Sequence, residues 1–490
     1  MKRIIIREPT PILPFGEPAR DLRILNKALW LHQRDLLARH CKGASEVDSL
    51  AEITRFSQGE LLIHKDNLFF NAKLIDTFVS QARATQQACQ IAFAKDDRTI
   101  TAHALRLQDG IRLEGEVYLA DLYYYPSGER QPPKPLVIAT EASEMGYYHI
   151  PSYMANQGDL VFQVPLRAFL SIENWVHVFL ANTPLGVFNW ARQTEDVMNR
   201  GRLRDFLHWQ QADWQALRPK IALLLTALGE KLNPFEAKWR NHFLACKNLV
   251  KIGKNCSIDP TAIIHGPTVL GDNVYVGPGA VITNSLIGSN VNIMQGSQVM
   301  LSVISDRCFL PFNAGVFMST LMEDSTVAQN TTLQLCVVGR NSFLGANNVC
   351  TDLDLFGQPI QTYHKSKFAA EGELQDVGLP VLGSAIGHHC KIGSGFILAP
   401  GRMVGSYTTL VVQSNGANLI QKCVNVPNTP SKYNVPGQNA ELAGQTDEAR
   451  QTIYFWPRLS NPAATPEASV KAAPFPTEAR EIDRACNTDL

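Results

Sequence analysis

Residues 286–320 read LIGSNVNIMQGSQVMLSVISDRCFLPFNAGVFMST. Within them an aliphatic side chain returns every sixth place at Ile287, Ile293 and Val299, slips by one, and resumes at Ile304, Leu310 and Val316. Upstream, the same beat starts at Ile252 and passes through Ile258, Ile264, Leu270, Val276 and Ile282. Downstream it continues at Leu321, Val327, Leu333, Val338 and Leu344, breaks off, and returns at Ile386, Ile392, Leu398 and Val404. The slips follow groups of three hexads, so the repeating unit is about 17–18 residues long. Glycine often follows the aliphatic, as at Gly253, Gly271, Gly288, Gly339, Gly387 and Gly405. A corner every six residues draws on glycine's conformational freedom and on small neighbours. One inward aliphatic per short strand then stacks on its equivalent in the next turn, about 4.8 Å away. No single turn can bury its own face, so stability must come from stacking.

The rest of the chain bounds the alternatives. It has 490 residues, with 45 Lys+Arg against 45 Asp+Glu. A net charge of zero argues against an electrostatic nucleic-acid binder. A hydrophobic content of 45% is that of a globular protein. The 10 cysteines are scattered, which excludes a disulfide framework and favours a reducing, cytoplasmic setting. No apolar run approaches the roughly 20 residues that span a bilayer, so no membrane span is expected. Residues 1–190 read as a mixed α/β domain. Arg3–Arg7, Leu61–His64, Ile111–Tyr124 and Leu136–Ala139 are strand-like, and Leu74–Ala84 has helical periodicity. Residues 191–250 read as a helical connector, and 421–490 as a largely irregular tail.

The hexads resemble those of the hexapeptide-repeat acyltransferases, which implies a left-handed parallel β-helix over residues 251–420. Homotrimers with acyl sites between subunits come with that resemblance. The β-helix is interrupted at about 353–381, and a long loop inside a tight repeat is usually functional. His364 in this loop, and His388 and His389 just after it, are the candidate general bases for acyl transfer. The coils around Gly387–Gly401 resemble the last coils of the bifunctional N-acetylglucosamine-1-phosphate uridyltransferase family. That resemblance gives Lys391, Ser394 and Ala399 as contacts for acetyl-CoA or another acyl-CoA.

The N-terminal stretch Pro14–Arg23 lies after a strand and before a helix, and resembles the opening motif of sugar-phosphate nucleotidyltransferases. Gly16 would let backbone N–H groups approach phosphate, with Arg20, Arg23 and Lys27 supplying charge. A structural loop is the competing reading. Asp66 ends an apolar strand, where ligands and Mg²⁺ gather in open α/β sheets. It could equally cap a following helix. Glu173 is a further carboxylate candidate by polarity alone, as is Asp159. Motif order and repeat together imply a nucleotidyltransferase-like α/β domain, a connector and a β-helix. The implied reaction is Mg²⁺-dependent nucleotidyl transfer from a nucleoside triphosphate to a sugar 1-phosphate, with acyl transfer in the second half. Two other readings stay open: a catalytically degenerate β-helical scaffold, and an acyltransferase alone.

Overall fold

The computed structural model describes residues 1–55, 59–127, 132–148, 150, 160–193 and 249–410. Most of the expected connector, the tail beyond 410 and Asp159 lie outside the described residues.

From Val250 onward the chain winds as a parallel β-helix. Its strands are two or three residues long and stack into three sheets of 8, 8 and 7 strands. The hexad aliphatics form one ladder per sheet. Ile252 pairs with Leu270, Leu270 with Ile287, and Ile287 with Ile304 in the first. Val276, Ile293 and Leu310 align in the second, and Ile282, Val299 and Val316 in the third. Apart from Ile252 on the first turn, which is half exposed, these side chains are almost completely buried and form one continuous core. The beat fails at 350 only because Cys350 replaces the aliphatic, and it is equally buried.

The corners differ from expectation. Left-handed backbone at successive turns falls on Asn273, Asn290, Arg307, Asp324 and Asn341, not on the glycine that follows the aliphatic. Asparagine and aspartate tolerate that conformation better than other side chains. The glycines answer a different need, the closeness of adjacent coils. A Cβ on Gly271 would lie 2.6 Å from the Gly288 carbonyl, and one on Gly339 would lie 2.6 Å from Gly387.

The N-terminal half is built on β1 (Lys2–Ile6), β2 (Ala44–Val47), β3 (Leu61–Lys65), β4 (Cys89–Ala94), β5 (Val117–Tyr125) and β6 (Lys134–Val137). Their order in the sheet is β6-β4-β5-β3-β1-β2, with β5 antiparallel to its neighbours. The expected strand over Ile111–Tyr124 is divided at Gly115, where a tight turn gives Arg112–Glu114 back to β5. Helix α1 (Leu29–Leu37) precedes β2, and α2 (Ala72–Thr85) follows β3. In α2, Leu74, Ile75, Phe78, Val79 and Ala82 are buried, the face that the helical period marks. Helix α3 (Trp175–Asn182) is wholly buried and apolar except for His177 and Asn182.

The two halves share one core. Trp175, Phe179 and Leu180 belong to the same buried cluster as Val303, Val337, Ala385 and Met403, which point outward from the first β-helix sheet. The coil interrupted after Cys350 resumes at Ala385–Ile386 in unbroken register with Val337–Val338. The intervening segment forms a hairpin, β7 (Gln361–His364) with β8 (Glu373–Asp376). The hairpin rests on the start of α3: Trp175 Nε1 donates to Thr362 Oγ1 at 2.9 Å, and Asn174 Nδ2 to the Tyr363 carbonyl at 3.1 Å.

Leu333 lies midway along a ladder and is fully buried, whereas Leu355 is 76% exposed on the insertion. Leu333→Ala is expected to cost about 2–5 kcal/mol in urea unfolding. Leu355→Ala should stay within about 0.5 kcal/mol.

Candidate functional site

Strands β2, β1 and β3 are parallel, so the residues that follow them collect at one edge of the sheet. β1 delivers Glu8 and β3 delivers Asp66. The Glu8 N–H donates to Asp66 Oδ1 at 2.8 Å. Arg20 reaches across, with one nitrogen 3.2 Å from Asp66 Oδ2 and another 3.1 Å from Glu46 on β2. The antiparallel β5 brings Asp121 to 2.7 Å from Lys65 Nζ. From the β-helix insertion, Lys367 places its Nζ 2.6 Å from Glu8 and 3.3 Å from Glu173. Three basic and five acidic side chains thus interlock where an open α/β sheet ordinarily meets its ligand.

A buried polar layer supports this edge from beneath. Arg3 Nε donates to His64 Nε2 at 2.8 Å, and His64 Nδ1 faces the Lys65 carbonyl at 2.7 Å. His64 is therefore neutral, with its proton on Nδ1. Burial and the adjacent Arg3 push its pKa down to about 3. Gln33 of α1 donates to the carbonyls of Asp66 and Leu68 at 3.0 and 2.7 Å, which fixes the turn after β3.

Burial raises the Asp66 carboxyl to about 6, against the opposing pull of the Glu8 N–H and Arg20. Glu8 is also partly buried, but the hydrogen bonds from Lys367 and Thr10 outweigh desolvation and hold it below its ordinary value. Lys367 is raised, since Glu173 and Glu8 overcome the effect of burial.

Glu173 organises the neighbouring loop. Its carboxylate accepts from Ser171 Oγ at 2.6 Å, the Gly110 N–H at 2.9 Å and the Asp109 N–H at 3.1 Å. Beside it lies a cavity of about 280 Å³ between Leu105–Asp109 and the insertion hairpin, with His364 and Ser366 in its wall.

Of the residues expected to handle phosphate and metal, Arg20 and Asp66 meet. The others are drawn elsewhere. The Gly16 turn has φ +77° and donates to the Ile12 carbonyl, while the adjacent Pro14 and Phe15 carbonyls accept from Ser406 Oγ of the β-helix. Arg23 pairs with Glu323 at 3.0 Å, and Lys27 with Asp35 at 2.8 Å on an exposed surface. Asp66 does not cap a helix: β-strand Leu68–Phe70 follows it, and the cap of α2 is Asn71, which accepts from the Leu74 N–H at 3.0 Å. A resident Mg²⁺ does not fit this donor set. Each Asp66 oxygen already has a partner, and no group of three metal-ligating side chains converges among the described residues.

The β-helix candidates separate likewise. His388 is buried against the N-terminal half, with Nε2 3.3 Å from Glu17 and Nδ1 accepting from the Arg340 N–H at 2.9 Å. It serves the join, because Arg340 grips the same Glu17 at 2.6 and 2.7 Å. His389 is exposed at a left-handed corner and stacks on Tyr407 with centroids 4.8 Å apart. His364 lies on the insertion against the N-terminal half. Lys391 and Ser394 are exposed about one corner, while Ala399 occupies the next and accepts through its carbonyl from Ser384. The sequence reading missed Glu8, Lys65, Asp109 and Lys367. Glu8 carried the signal used for Asp66, an acid just past an apolar strand; Lys367 carried none, because its place depends on how the insertion folds back.

A family match agrees with the hexapeptide repeat of the β-helix. The family described as bacterial transferase hexapeptide (six repeats) matches residues 249–284. Among curated relatives, the bifunctional protein GlmU of Ruthia magnifica is 30% identical over 115 residues, covering 24% of each chain. That of Prochlorococcus marinus is 25% identical over 160 residues, covering 33% of this chain and 34% of its own. A putative acetyltransferase structure from Bacillus cereus aligns with 33% of this chain and 76% of its own, at 18% identity and a TM-score of 0.14. Residues 249–284 of the β-helix match that hexapeptide family. Over the matched stretches the chain is GlmU-like, and it spans about a quarter of the length of the first curated relative.

If Asp66 competes for Arg20, Asp66→Asn should tighten pyrophosphate binding in EDTA by roughly three- to tenfold in calorimetry, the worth of a ~1 kcal/mol ion pair. A metal-ligand role predicts no such gain. In wild type the Asp66 carboxyl should titrate near 6 by carbon NMR. Arg20→Gln should move it higher, because a charge that favours the ionised form is gone.

Proposed function

We propose that the chain is a GlmU-like transferase of two activities. The N-terminal edge handles the phosphates of a nucleoside triphosphate and a sugar 1-phosphate, and the β-helix handles an acyl-CoA. The observation that carries the first part is the convergence of Arg20, Lys65 and Lys367 at the carboxyl ends of β1 and β3. Phosphate would take over these cations from their carboxylate partners, stabilising charge that grows during displacement at the α-phosphorus. Mg²⁺ enters only with the nucleotide, as part of the substrate. For acyl transfer, His389 is the exposed imidazole of the expected set, at the corner that precedes the strand Lys391–Ile392. A homotrimer would supply its missing wall. The N-terminal half covers one face of the β-helix, and the other two bear exposed apolar residues such as Phe309, Phe343, Ile263 and Ile397.

A second reading has its own support. Lys367 ties the β-helix insertion to Glu8 and Glu173, as a structural clamp in a non-catalytic scaffold would.

The two are separated by pyrophosphate release from Mg–nucleotides across a panel of sugar 1-phosphates, with thiol release from acetyl-CoA measured in parallel. The transferase reading expects Lys367→Ala to lower kcat/KM for the first reaction at least tenfold and to leave thiol release unchanged. Absence of both reactions favours the scaffold. Sedimentation as a monomer would remove the trimer.

A further inference from the structure

The insertion hairpin is held by two kinds of contact, and they divide along its length. Its root belongs to the shared core: Ile360, Val377 and Leu379 are buried there. Trp175 and Asn174 bond Thr362 and Tyr363, and the Val377 N–H donates to the Ile360 carbonyl at 2.9 Å. The tip, residues 365–372, is fastened differently. Among the described residues, its hydrogen bonds and ion pairs to the N-terminal half all end on three carboxylates. Asp109 accepts from Ser366 Oγ at 2.9 Å and from the Lys367 N–H at 2.7 Å. Glu8 and Glu173 share Lys367 Nζ at 2.6 and 3.3 Å. Phe368, the one large apolar residue of the tip, is 83% exposed.

We propose that this tip is a strap over the carboxyl edge of the N-terminal sheet, which lifts from its fixed root to admit an anion of the phosphate class and refastens with Lys367 on that anion. The strap follows from the contacts; only the identity of the anion rests on the proposed function.

Three observations carry the strap. First, every fastener ends on a carboxylate, so salt screens it and another anion competes with it. The apolar burial of the root answers to neither, and local opening is confined to one end of the hairpin. Second, the hairpin stands off its neighbour. A cavity of about 280 Å³ lies between it and Leu105–Asp109, so the tip bridges a gap before it reaches Asp109. The tip also ends at Gly372, where a Cβ would lie 2.4 Å from the Tyr363 ring. A small terminal residue of this kind suits a hinge. Third, Lys367 is placed to change partners. The side chains of Glu8 and Glu173 are only 14% and 5% exposed, so lifting the lysine strands two carboxylates and the strap rests closed. An ammonium has three donors. Glu8 and Glu173 meet two of them among the described residues, and the third can take an anion before either carboxylate is released.

The test is hydrogen exchange on the full chain, read by mass spectrometry, with the Val377 N–H at the root as internal reference. Between about 0.01 and 1 M sodium chloride the screening length falls from ~30 to ~3 Å. Over that range the amides of residues 366–371 should exchange roughly fivefold faster or more, and Val377 should not change. Lys367→Gln should exchange at the fast rate at both ends of the range, and Lys367→Arg should restore the salt response. Lys365→Gln, an exposed charge of the same tip, should match wild type. Pyrophosphate in EDTA, at about 0.15 M salt, should slow tip exchange roughly threefold or more in wild type and not in Lys367→Gln. If Lys367→Gln also speeds Val377, its root has loosened, and Asp109→Asn decides, since it removes the other charged acceptor of the tip. Tip exchange indifferent to salt, or equal in wild type and the deciding variant, overturns the strap. A tip released by salt, with no pyrophosphate binding in calorimetry, overturns the phosphate reading of the edge and leaves the strap standing. Pyrophosphate bound in calorimetry with tip exchange unmoved does the reverse.

Discussion

Val303, Val337, Ala385 and Met403 point away from the β-helix axis, yet all are buried, because the N-terminal half lies over them. Everything distinctive about the molecule depends on that contact. It leaves the first β-helix sheet apolar on both sides, a pattern usual for parallel sheets covered on two faces. It brings Glu17, Arg23, Arg340, Glu323 and His388 into one ion network at the join. It also sets the β-helix insertion within reach of the carboxyl edge of the N-terminal sheet. Removing one member of such a half-buried network strands its partners, which costs more than the intact pair contributes. The join is consequently specific in orientation as well as adhesive.

The candidate site inherits its character from the same contact. An open sheet edge with Asp66 alone would be a plain candidate for a divalent cation. Arg20 from the N-terminal loop and Lys367 from the insertion change that chemistry by supplying positive charge from side chains. The edge has become a matched lattice in which an anion must compete for cations. Desolvation of Asp66 weakens its side of that competition, because a carboxyl that ionises only near 6 holds its partner less firmly at mildly acid pH.

Much of the fold was legible in the sequence. Ile287, Ile293 and Val299 and their repeats sit where the six-residue beat puts them, since inward stacking is a local, periodic demand. The strand at Leu61–His64 and the buried face of α2 were legible for similar reasons. The corner chemistry was misread. A repeated glycine looks like a turn residue, but here it marks the closeness of coils, and Asn273, Asn290 and Asn341 make the turns. The site was legible only in part. Arg20 and Asp66 could be nominated because they follow strands or resemble a motif. Lys367 and Asp109 could not, because they meet through an insertion that folds back over a separate half. Gly16, Arg23 and His388 carry functional-looking chemistry that the join consumes, and no local pattern distinguishes the two uses.

The join also has a consequence for biosynthesis. Glu17 finds Arg340 across 323 positions of sequence. At about 5–20 residues per second, translation leaves the first half waiting on the order of ten seconds or more for the surface that covers it. During that interval Trp175 and its apolar neighbours lack their final cover, so nascent chains are exposed to aggregation and to chaperone capture. The β-helix has no such delay, for each coil needs only the one made a moment before.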